Sequence, residues 1–262
     1  MLKNTDSAES SVELSEQSII TNNRFIVFLD IMGFKDRVAR NNHEKILKEL
    51  EIFKDNISKC INYYPNAEIQ PVLFSDSILI YSQNDDIESL HALADITSHI
   101  MMYAIQQETP IPLKGAIAAG CMTCNQTKQL YFGQALIDAY ILEENVKYYG
   151  VLVHHSAEKY LQKSSFPEFR DIKVPLKSGD ISHYELNWYN TVIKEGVANS
   201  KTVDDCLKKL RLTVSDEPRK YIDNTQRVMR VPEQKQYFNK MLKAIRYIPF
   251  HKFIFCHKNK EK

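Results

Sequence analysis

The chain has 262 residues, of which 44% are hydrophobic, and its 34 Lys and Arg nearly balance its 33 Asp and Glu to leave a net charge of +1. This composition supports a folded core, and the balanced charge excludes a strongly basic nucleic-acid binder and favours no acidic membrane partner. No apolar run is long enough to span a bilayer and no apolar signal segment is present, so the five cysteines are expected to be reduced thiols in a cytoplasmic protein.

Composition divides the chain into three predicted parts. Residues 1–22 are rich in Ser, Glu, Asn and Thr, which predicts a disordered N-terminal lead. Residues 23–190 alternate between strand-like and helix-like apolar patterns, which is typical of a folded domain. Residues 191–262 are charged, follow a helical pattern and contain no glycine after Gly196, so we expect a helical C-terminal extension.

Apolar periodicity and turn residues predict the order of elements in the folded domain. In chain order we expect a strand, a helix, two strands, a helix, two strands and a helix, at 24–30, 43–63, 68–74, 77–82, 90–105, 113–119, 129–132 and 133–146. A strand, a short helix and two further strands follow at 151–153, 156–161, 169–174 and 183–187. This order matches an α+β, ferredoxin-like split βαβ core with additions, in which helices cover one face of an antiparallel sheet.

Two of the apolar strands end in an aspartate at a turn. The run Phe25–Leu29 leads into Asp30, and the run Val72–Phe74 leads into Asp76, which lies between two serines. An ionised carboxylate next to apolar strands is costly unless it is paired or coordinated, and hard divalent cations prefer oxygen ligands. The pattern therefore indicates a shared cation site of the kind used in phosphoryl transfer, with turn-forming or capping acids as the alternative.

Three segments in a fixed order resemble the class III nucleotidyl cyclases. They are the sequences FLDIMGF, FSDSIL and KGAIAAG followed by YFG, at residues 28–34, 74–79, 114–120 and 131–133. The version here, with Ser-Asp-Ser in place of Gly-Asp-Gly, looks most like the pyrimidine cyclases of the Pycsar antiphage defence system. The resemblance implies a class III cyclase core, an antiparallel sheet flanked by helices, with the C-terminal helices as an addition.

The resemblance also implies a reaction and a set of site residues. The 3′-hydroxyl of a bound CTP or UTP would attack its own α-phosphate, form a 3′,5′-cyclic monophosphate and release pyrophosphate. Two Mn²⁺ or Mg²⁺ ions would be held by Asp30, Asp76 and the backbone carbonyl of Ile31. Triphosphate oxygens would face the backbone N–H groups of Met32, Gly33 and Phe34.

Base selection is where the sequence departs from the purine cyclases that it resembles. Those enzymes commonly place a Lys four residues before the second metal Asp, and an acid or related polar group three residues before the glycine of Tyr-Phe-Gly. Here these positions are Val72 and Leu130, which cannot hydrogen-bond to a purine edge. A smaller pyrimidine is the consistent alternative, unless the register of the comparison is shifted by one residue.

A second departure concerns charge stabilisation. The Asn and Arg that the family carries on its third helix are replaced by Ile137 and Ile141. The missing positive charge must come from another group, for which Lys177 is the first candidate because it matches a triphosphate-binding lysine of the family. Lys114 and Lys35 are further candidates, and Asp138, Tyr140 and Glu143 could serve the ribose or the base.

The partners follow from the same resemblance. Because the sites of the family form between two subunits, we expect a homodimer that binds a pyrimidine nucleoside triphosphate, with no nucleic-acid or membrane partner. The cyclic product would act on a separate effector with a cyclic-nucleotide-binding domain. Two alternatives remain open: a catalytically silent cyclase-homology module that binds nucleotide or a protein partner, and an RNA-binding ferredoxin-like domain with exposed aromatic residues on its central strands.

Overall fold

The computed structural model describes residues 20–162 and 166–231. The predictions for residues 1–19, 163–165 and 232–262 lie outside the described residues. The first strand begins at Ile20, so the last three residues of the predicted N-terminal lead belong to that strand instead. Within the described ranges, no helix combines the length and the apolar character needed to cross a bilayer.

The described part of the chain contains eight strands and eight α-helices. The predicted strands and helices are present, but β1 and β8 begin four residues earlier than predicted and β4 ends six residues later. The strands are β1 (Ile20–Ile31), β2 (Gln70–Phe74), β3 (Ser77–Tyr81), β4 (Leu113–Asn125), β5 (Leu130–Gly133), β6 (Val151–Val153), β7 (Phe169–Leu176) and β8 (Gly179–Leu186). The helices are α1 (Phe34–Arg40), α2 (His43–Asn62), α3 (Ile87–Gln106), α4 (Gln134–Asn145), α5 (His155–Leu161), α6 (Trp188–Lys194), α7 (Ser200–Arg211) and α8 (Glu217–Met229).

Side chains that accept hydrogen bonds explain where the two longest helices begin. Asn42 precedes α2 and its side chain accepts from the amide of Glu44, and Asp86 precedes α3 and accepts from the amide of Ser89. Such caps satisfy N–H groups that the first turn of a helix leaves without a partner. The cap residues therefore fix the start of the two helices that the periodic apolar pattern predicted.

The strands form one mixed sheet with the order β2-β3-β1-β4-β6-β8-β7, and β5 pairs with the far end of β4. Neighbouring strands are antiparallel except for β4 and β6, which are parallel. The order β2-β3-β1-β4 is that of a split βαβ core, which confirms the predicted fold class. Strand β4 continues beyond its predicted end at Ala119 because β1, which is almost as long, pairs with it as far as Ile20 and Cys124.

Helices cover both faces of the sheet, so the predicted arrangement with helices on one face is incomplete. Side chains of a strand alternate between faces, and on β1 Val27 and Leu29 belong to the core cluster that contains α2 and α3. Ile26 and Phe28 belong to a second cluster that contains α4. By the same alternation Asp30 lies on the α4 face, which makes α4 the helix that accompanies the predicted site.

Of the C-terminal helices, α6 and α7 pack against α3, whereas α8 packs against β7, where a buried arginine anchors it. Arg170 on β7 is 2% exposed. Its guanidinium donates to the Glu185 carboxylate at 2.5 Å and to the carbonyl oxygens of Val228 at 2.7 Å and Val231 at 2.9 Å. The hydroxyl of Tyr148 also donates to Glu185, at 2.9 Å. The buried guanidinium of Arg170 therefore holds the end of α8.

Helix α8 also holds the loop that joins α4 to β6. The amide of Tyr149 donates to the Thr225 hydroxyl at 2.8 Å, and the side-chain amide of Asn224 donates to the Lys147 carbonyl at 2.7 Å. Lys147 forms an ion pair with Glu217 at 2.7 Å. Because these contacts join backbone groups of the loop to α8, the helix fixes the position where α4 ends.

The turn between β5 and α4 requires glycine, which gives a test of the fold. Gly133 has φ 154°, and a Cβ added there would lie 2.4 Å from the Cys121 carbonyl oxygen, whereas a Cβ at Gly33, with φ 73°, meets nothing within 4 Å. We expect Gly133→Ala to lower the free energy of unfolding by roughly 2–4 kcal/mol, since strain and overpacking add. Gly33→Ala should lower it by about 1 kcal/mol. Urea denaturation measures both, and equal losses would contradict this account.

Candidate active site

The two aspartates of the sequence prediction lie at the same end of adjoining strands. Asp30 pairs with Ser77 of β3 in the sheet, and the next residue, Ile31, donates its amide to the Asp76 carbonyl at 2.8 Å. Ser75, in the turn between β2 and β3, has a left-handed backbone with φ 56°. The tight turn after β2 thus brings Asp76 next to the end of β1, where Asp30 lies.

The environment of Asp30 has an excess of negative charge. Burial raises the pKa of its carboxyl group from 3.8 to about 6, the charges of Glu143 and Asp76 add to the rise, and the charge of Lys114 opposes it. Burial also raises the pKa of Glu143. Carboxylates that repel one another in a partly buried place are the groups that a divalent cation stabilises, so the residues present fit a metal site.

The candidate residues would supply only part of the coordination shell of a metal ion. Among the described residues, no three His, Cys, Asp or Glu side chains are grouped so that they could hold a metal ion by themselves. Two carboxylates and a backbone carbonyl leave positions that oxygen atoms of a bound triphosphate or water can fill, as is usual for Mg²⁺. The donor set consists entirely of oxygen atoms, which suits Mg²⁺ or Mn²⁺.

The predicted phosphate-binding turn differs in one residue. The amide of Met32 donates to the Pro112 carbonyl at 2.9 Å, so it is used within the sheet and does not face a phosphate. The prediction for the Met32 amide is wrong because Pro112, the residue before β4, lies opposite Met32 and accepts its hydrogen bond. Gly33, with its left-handed backbone, and Phe34 begin α1 and stay candidates.

Lys114 is buried in an ion pair. Its side chain is 10% exposed, and its Nζ lies 2.6 Å from the Glu143 carboxylate and donates to the Glu143 carbonyl at 3.1 Å. As the structure stands, Lys114 binds α4 and is not presented to a nucleotide. The sequence could not indicate this pairing, since the two residues lie 29 positions apart.

Lys177 lies in the exposed turn between β7 and β8, beside the end of α4. Its amide donates to the Asn145 carbonyl at 2.9 Å, and its positive charge helps to lower the pKa of Glu143 against the larger opposite effect of burial. Lys177 is thus an exposed lysine near the acids of the candidate site. Whether it stabilises a triphosphate stays a prediction.

Leu130, one of the predicted base-recognition residues, pairs with Asn125 at the far end of β4 from Lys114, the residue opposite Asp30. Val72 is half-buried and pairs with Leu79, whereas Leu130 is exposed on β5. Asp138 accepts from the Gln134 amide at 2.7 Å and lies 3.6 Å from the His154 ring. Asp138 and Glu143 are about 140° apart around α4, so within one subunit Asp138 is turned away from the side that faces Asp30.

Helix α4 carries an apolar surface that the sequence analysis did not predict. Ile137 and Ile141 are 52% and 54% exposed, and Tyr140 between them is also exposed while its ring contacts Phe28 edge to face. Residues at this spacing form one patch on a helix. Exposed aromatic or apolar residues continue on β5 and at the end of β2, namely Leu130, Phe132 and Phe74. Such a surface is typical of a protein interface, and two isoleucines opposite the buried Ala135 and Ala139 were the available signal.

The raised pKa of Asp30 predicts how stability depends on pH. Between pH 3.8 and about 6 the folded state binds more protons than the unfolded state, so the free energy of unfolding falls as the pH rises through this range. For metal-free protein we expect this fall to be smaller in Asp30→Asn by about 1–2 kcal/mol, since solvent around the half-buried carboxyl group screens part of the effect. Urea titrations of both proteins at several pH values between 4 and 7 measure the difference. Parallel stability curves would contradict the prediction.

Comparisons with known proteins agree with the fold. No family model and no curated protein matches the sequence. Among solved structures, the catalytic core of a rhodopsin-guanylyl cyclase in complex with ATPαS aligns with a TM-score of 0.52 and 12% identity, over 64% of this chain and 98% of that one. The dimeric guanylyl cyclase domain of the RhoGC fusion protein from Blastocladiella emersonii aligns with a TM-score of 0.52 and 12% identity, over 64% of this chain and 96% of that one.

A third structure gives the same result. The guanylate cyclase domain of RhGC from Catenaria anguillulae in complex with GTP aligns with a TM-score of 0.50 and 11% identity, over 63% of this chain and 96% of that one. At these identities the comparison establishes the fold, and the fold is that of the class III nucleotidyl cyclases. Asp30 at the end of β1 and Asp76 in the turn between β2 and β3 thus lie on a fold that nucleotidyl cyclases share.

Proposed function

We propose that the protein is a metal-dependent pyrimidine nucleotide cyclase, which converts CTP or UTP into a 3′,5′-cyclic monophosphate and pyrophosphate. The observation that carries this proposal is the position of Asp30 and Asp76 at adjoining strand ends of a cyclase fold, where each carboxylate is in the electrostatic range of the other. Two partly buried carboxylates that repel each other destabilise a domain unless a cation binds to them.

The residues divide the work of the reaction as follows. Asp30, Asp76 and the Ile31 carbonyl would hold two Mg²⁺ or Mn²⁺ ions. When bound, the ions would supply Lewis-acid activation of the 3′-hydroxyl and neutralise charge on the triphosphate. Gly33 and Phe34 would orient the phosphates through their amides, and Lys177 would stabilise the charge that develops on pyrophosphate.

The pyrimidine specificity is proposed from the residues at the base positions. Val72 and Leu130 offer no hydrogen bond to the edge of a purine, and a site without such partners loses its means of selecting adenine or guanine. By resemblance to the Pycsar cyclases, the product would be a messenger in antiphage defence, formed in the cytoplasm and read by a separate effector that binds cyclic nucleotides.

The exposed apolar surface of α4 supports a homodimer. The surface formed by Ile137, Tyr140 and Ile141 adjoins exposed apolar residues of β5, and a second copy could cover both. In such a dimer a partner would face the side of α4 that carries Ile137, Tyr140 and Ile141. The residues that recognise base and ribose could then complete a site whose acids come from the other subunit.

One assay tests the proposed function. Pure protein is incubated with each of the four ribonucleoside triphosphates and Mn²⁺, and pyrophosphate and cyclic product are measured. Conversion of CTP or UTP well above ATP and GTP supports the proposal. Conversion of ATP or GTP alone would overturn the proposed base specificity and retain the cyclase activity.

A catalytically silent module is the second candidate function. The observation that favours it is that Ile137 and Ile141 provide no charge and that Lys114 is held by Glu143. Tight binding of Mn²⁺ and nucleotide without pyrophosphate release would support this candidate. The RNA-binding alternative has less support, because the aromatic residues of the described β1 and β3, Phe25, Phe28 and Tyr81, are buried and offer no stacking platform.

A further inference from the structure

A buried ion pair lies directly beside Asp30. Lys114 of β4 is the residue opposite Asp30 in the β1–β4 register, and by strand alternation both side chains are on the α4 face. The Lys114 ammonium lies 2.6 Å from the Glu143 carboxylate, and the two side chains are only 10% and 4% exposed. Glu143 contacts this ammonium at two places, because its backbone carbonyl also accepts a hydrogen bond from it at 3.1 Å.

Stability alone does not explain this pair. Removing two charges from water costs about as much as their attraction returns, and apolar residues of similar volume often do as well. A lysine stem is long and flexible, and Asp30 is a second acid within electrostatic range of the Lys114 ammonium. Without Glu143, the nearest compensation for the buried ammonium would be a direct ion pair with Asp30.

We infer that Glu143 is a positioning residue that keeps the Lys114 ammonium away from Asp30, so that the Asp30 carboxylate is available to a divalent cation. The inference rests on the proposed function, in which Asp30 is a metal ligand. An ammonium bound to Asp30 would occupy the oxygen atoms that a cation needs. The pair carries one positive and one negative charge, so it adds no net charge beside Asp30.

The two halves of the pair should affect metal binding differently. Mn²⁺ affinity is measured by isothermal titration calorimetry on the full chain without nucleotide, so that the result does not depend on activity. We expect Glu143→Gln to weaken binding by about tenfold or more, as for other residues that support a metal ligand. Lys114→Met should bind Mn²⁺ at least as tightly as the wild type, because its loss adds net negative charge beside Asp30. The double variant should return to within about threefold of the wild type.

A purely structural pair would behave in another way. If the pair has only a structural role, both single variants should weaken Mn²⁺ binding, and that result would overturn the inference. If Glu143→Gln does not fold, Lys114→Met is compared with the double variant that also carries Glu143→Gln. Residue 143 has no lysine ammonium to position in either variant, so the two should bind Mn²⁺ with similar affinity. A difference of more than about tenfold between them would overturn the inference as well.

A separate control distinguishes this inference from the proposed function. Asp30→Ala removes the predicted metal ligand itself. If the wild type and Asp30→Ala bind Mn²⁺ equally, the metal site of the proposed function fails. If Asp30→Ala weakens binding while Glu143→Gln does not, the metal site stands and the inference about Glu143 is overturned.

Discussion

Asp30→Asn and Asp76→Asn are each expected to lower pyrophosphate release from CTP or UTP by about a thousandfold or more. Each change keeps the size and shape of the side chain and removes the negative charge that a divalent cation needs. The loss should appear in kcat, because the ions act on charge that develops during the reaction. Steady-state rates over a range of Mn²⁺ concentrations measure it, with circular dichroism to follow the fold.

The matched control is Asp36→Asn. Asp36 lies on α1 a short distance along the chain from Asp30, but its side chain is 76% exposed and its ion pair with Arg40 is long, at 3.7 Å. We expect this variant to keep the rate of the wild type within about twofold, since an exposed pair of this kind contributes little. Full activity of either Asp30→Asn or Asp76→Asn would exclude a site built on these two carboxylates.

Arg170→Met is expected to lower the free energy of unfolding by about 3–5 kcal/mol. The substitution leaves the Glu185 carboxylate buried, and it removes the donor from the carbonyl oxygens of Val228 and Val231 at the end of α8. Urea denaturation measures the loss of stability. Hydrogen exchange should also show that amides of α8 become less protected than those of β1, because the helix loses its anchor.

Arg227→Met provides the comparison for this prediction. Arg227 is also on α8, and its two hydrogen bonds to Asp180, at 2.8 and 2.9 Å, are as well formed as those of Arg170. Its side chain is 52% exposed, so we expect a loss of no more than about 1 kcal/mol. Equal losses of stability for Arg170→Met and Arg227→Met would mean that burial does not determine how much each arginine contributes.

Local patterns of the sequence predicted most of the fold. The apolar runs around Asp30 and Asp76 and the periodic apolar residues of α3 predicted the order of strands and helices, since each signal is contained within one element. The face that α4 covers, and the parallel pairing of β4 with β6, depend on how distant elements pack. Neither could be predicted from the local pattern.

The same distinction between local and distant signals applies to the residues of the candidate site. Asp30 and Asp76 could be predicted because each ends an apolar strand at a turn. The roles of Met32 and Lys114 could not, because Pro112 and Glu143, which bind them, come from other parts of the chain. Comparison with the family alone suggested that Ile137 and Ile141 of α4 mark missing catalytic residues. On the folded helix the same two residues form part of an exposed apolar surface.

The anchoring of α8 by Arg170 has a practical consequence for anyone who trims this protein to its cyclase-like portion. A version ending near residue 190 would keep β7 and β8 but expose the guanidinium and the Glu185 carboxylate, and the segment after α4 would lose Asn224 and Thr225 as neighbours. Low stability or activity of that shortened protein would reflect lost support for α4 and would say nothing about the chemistry of the intact protein.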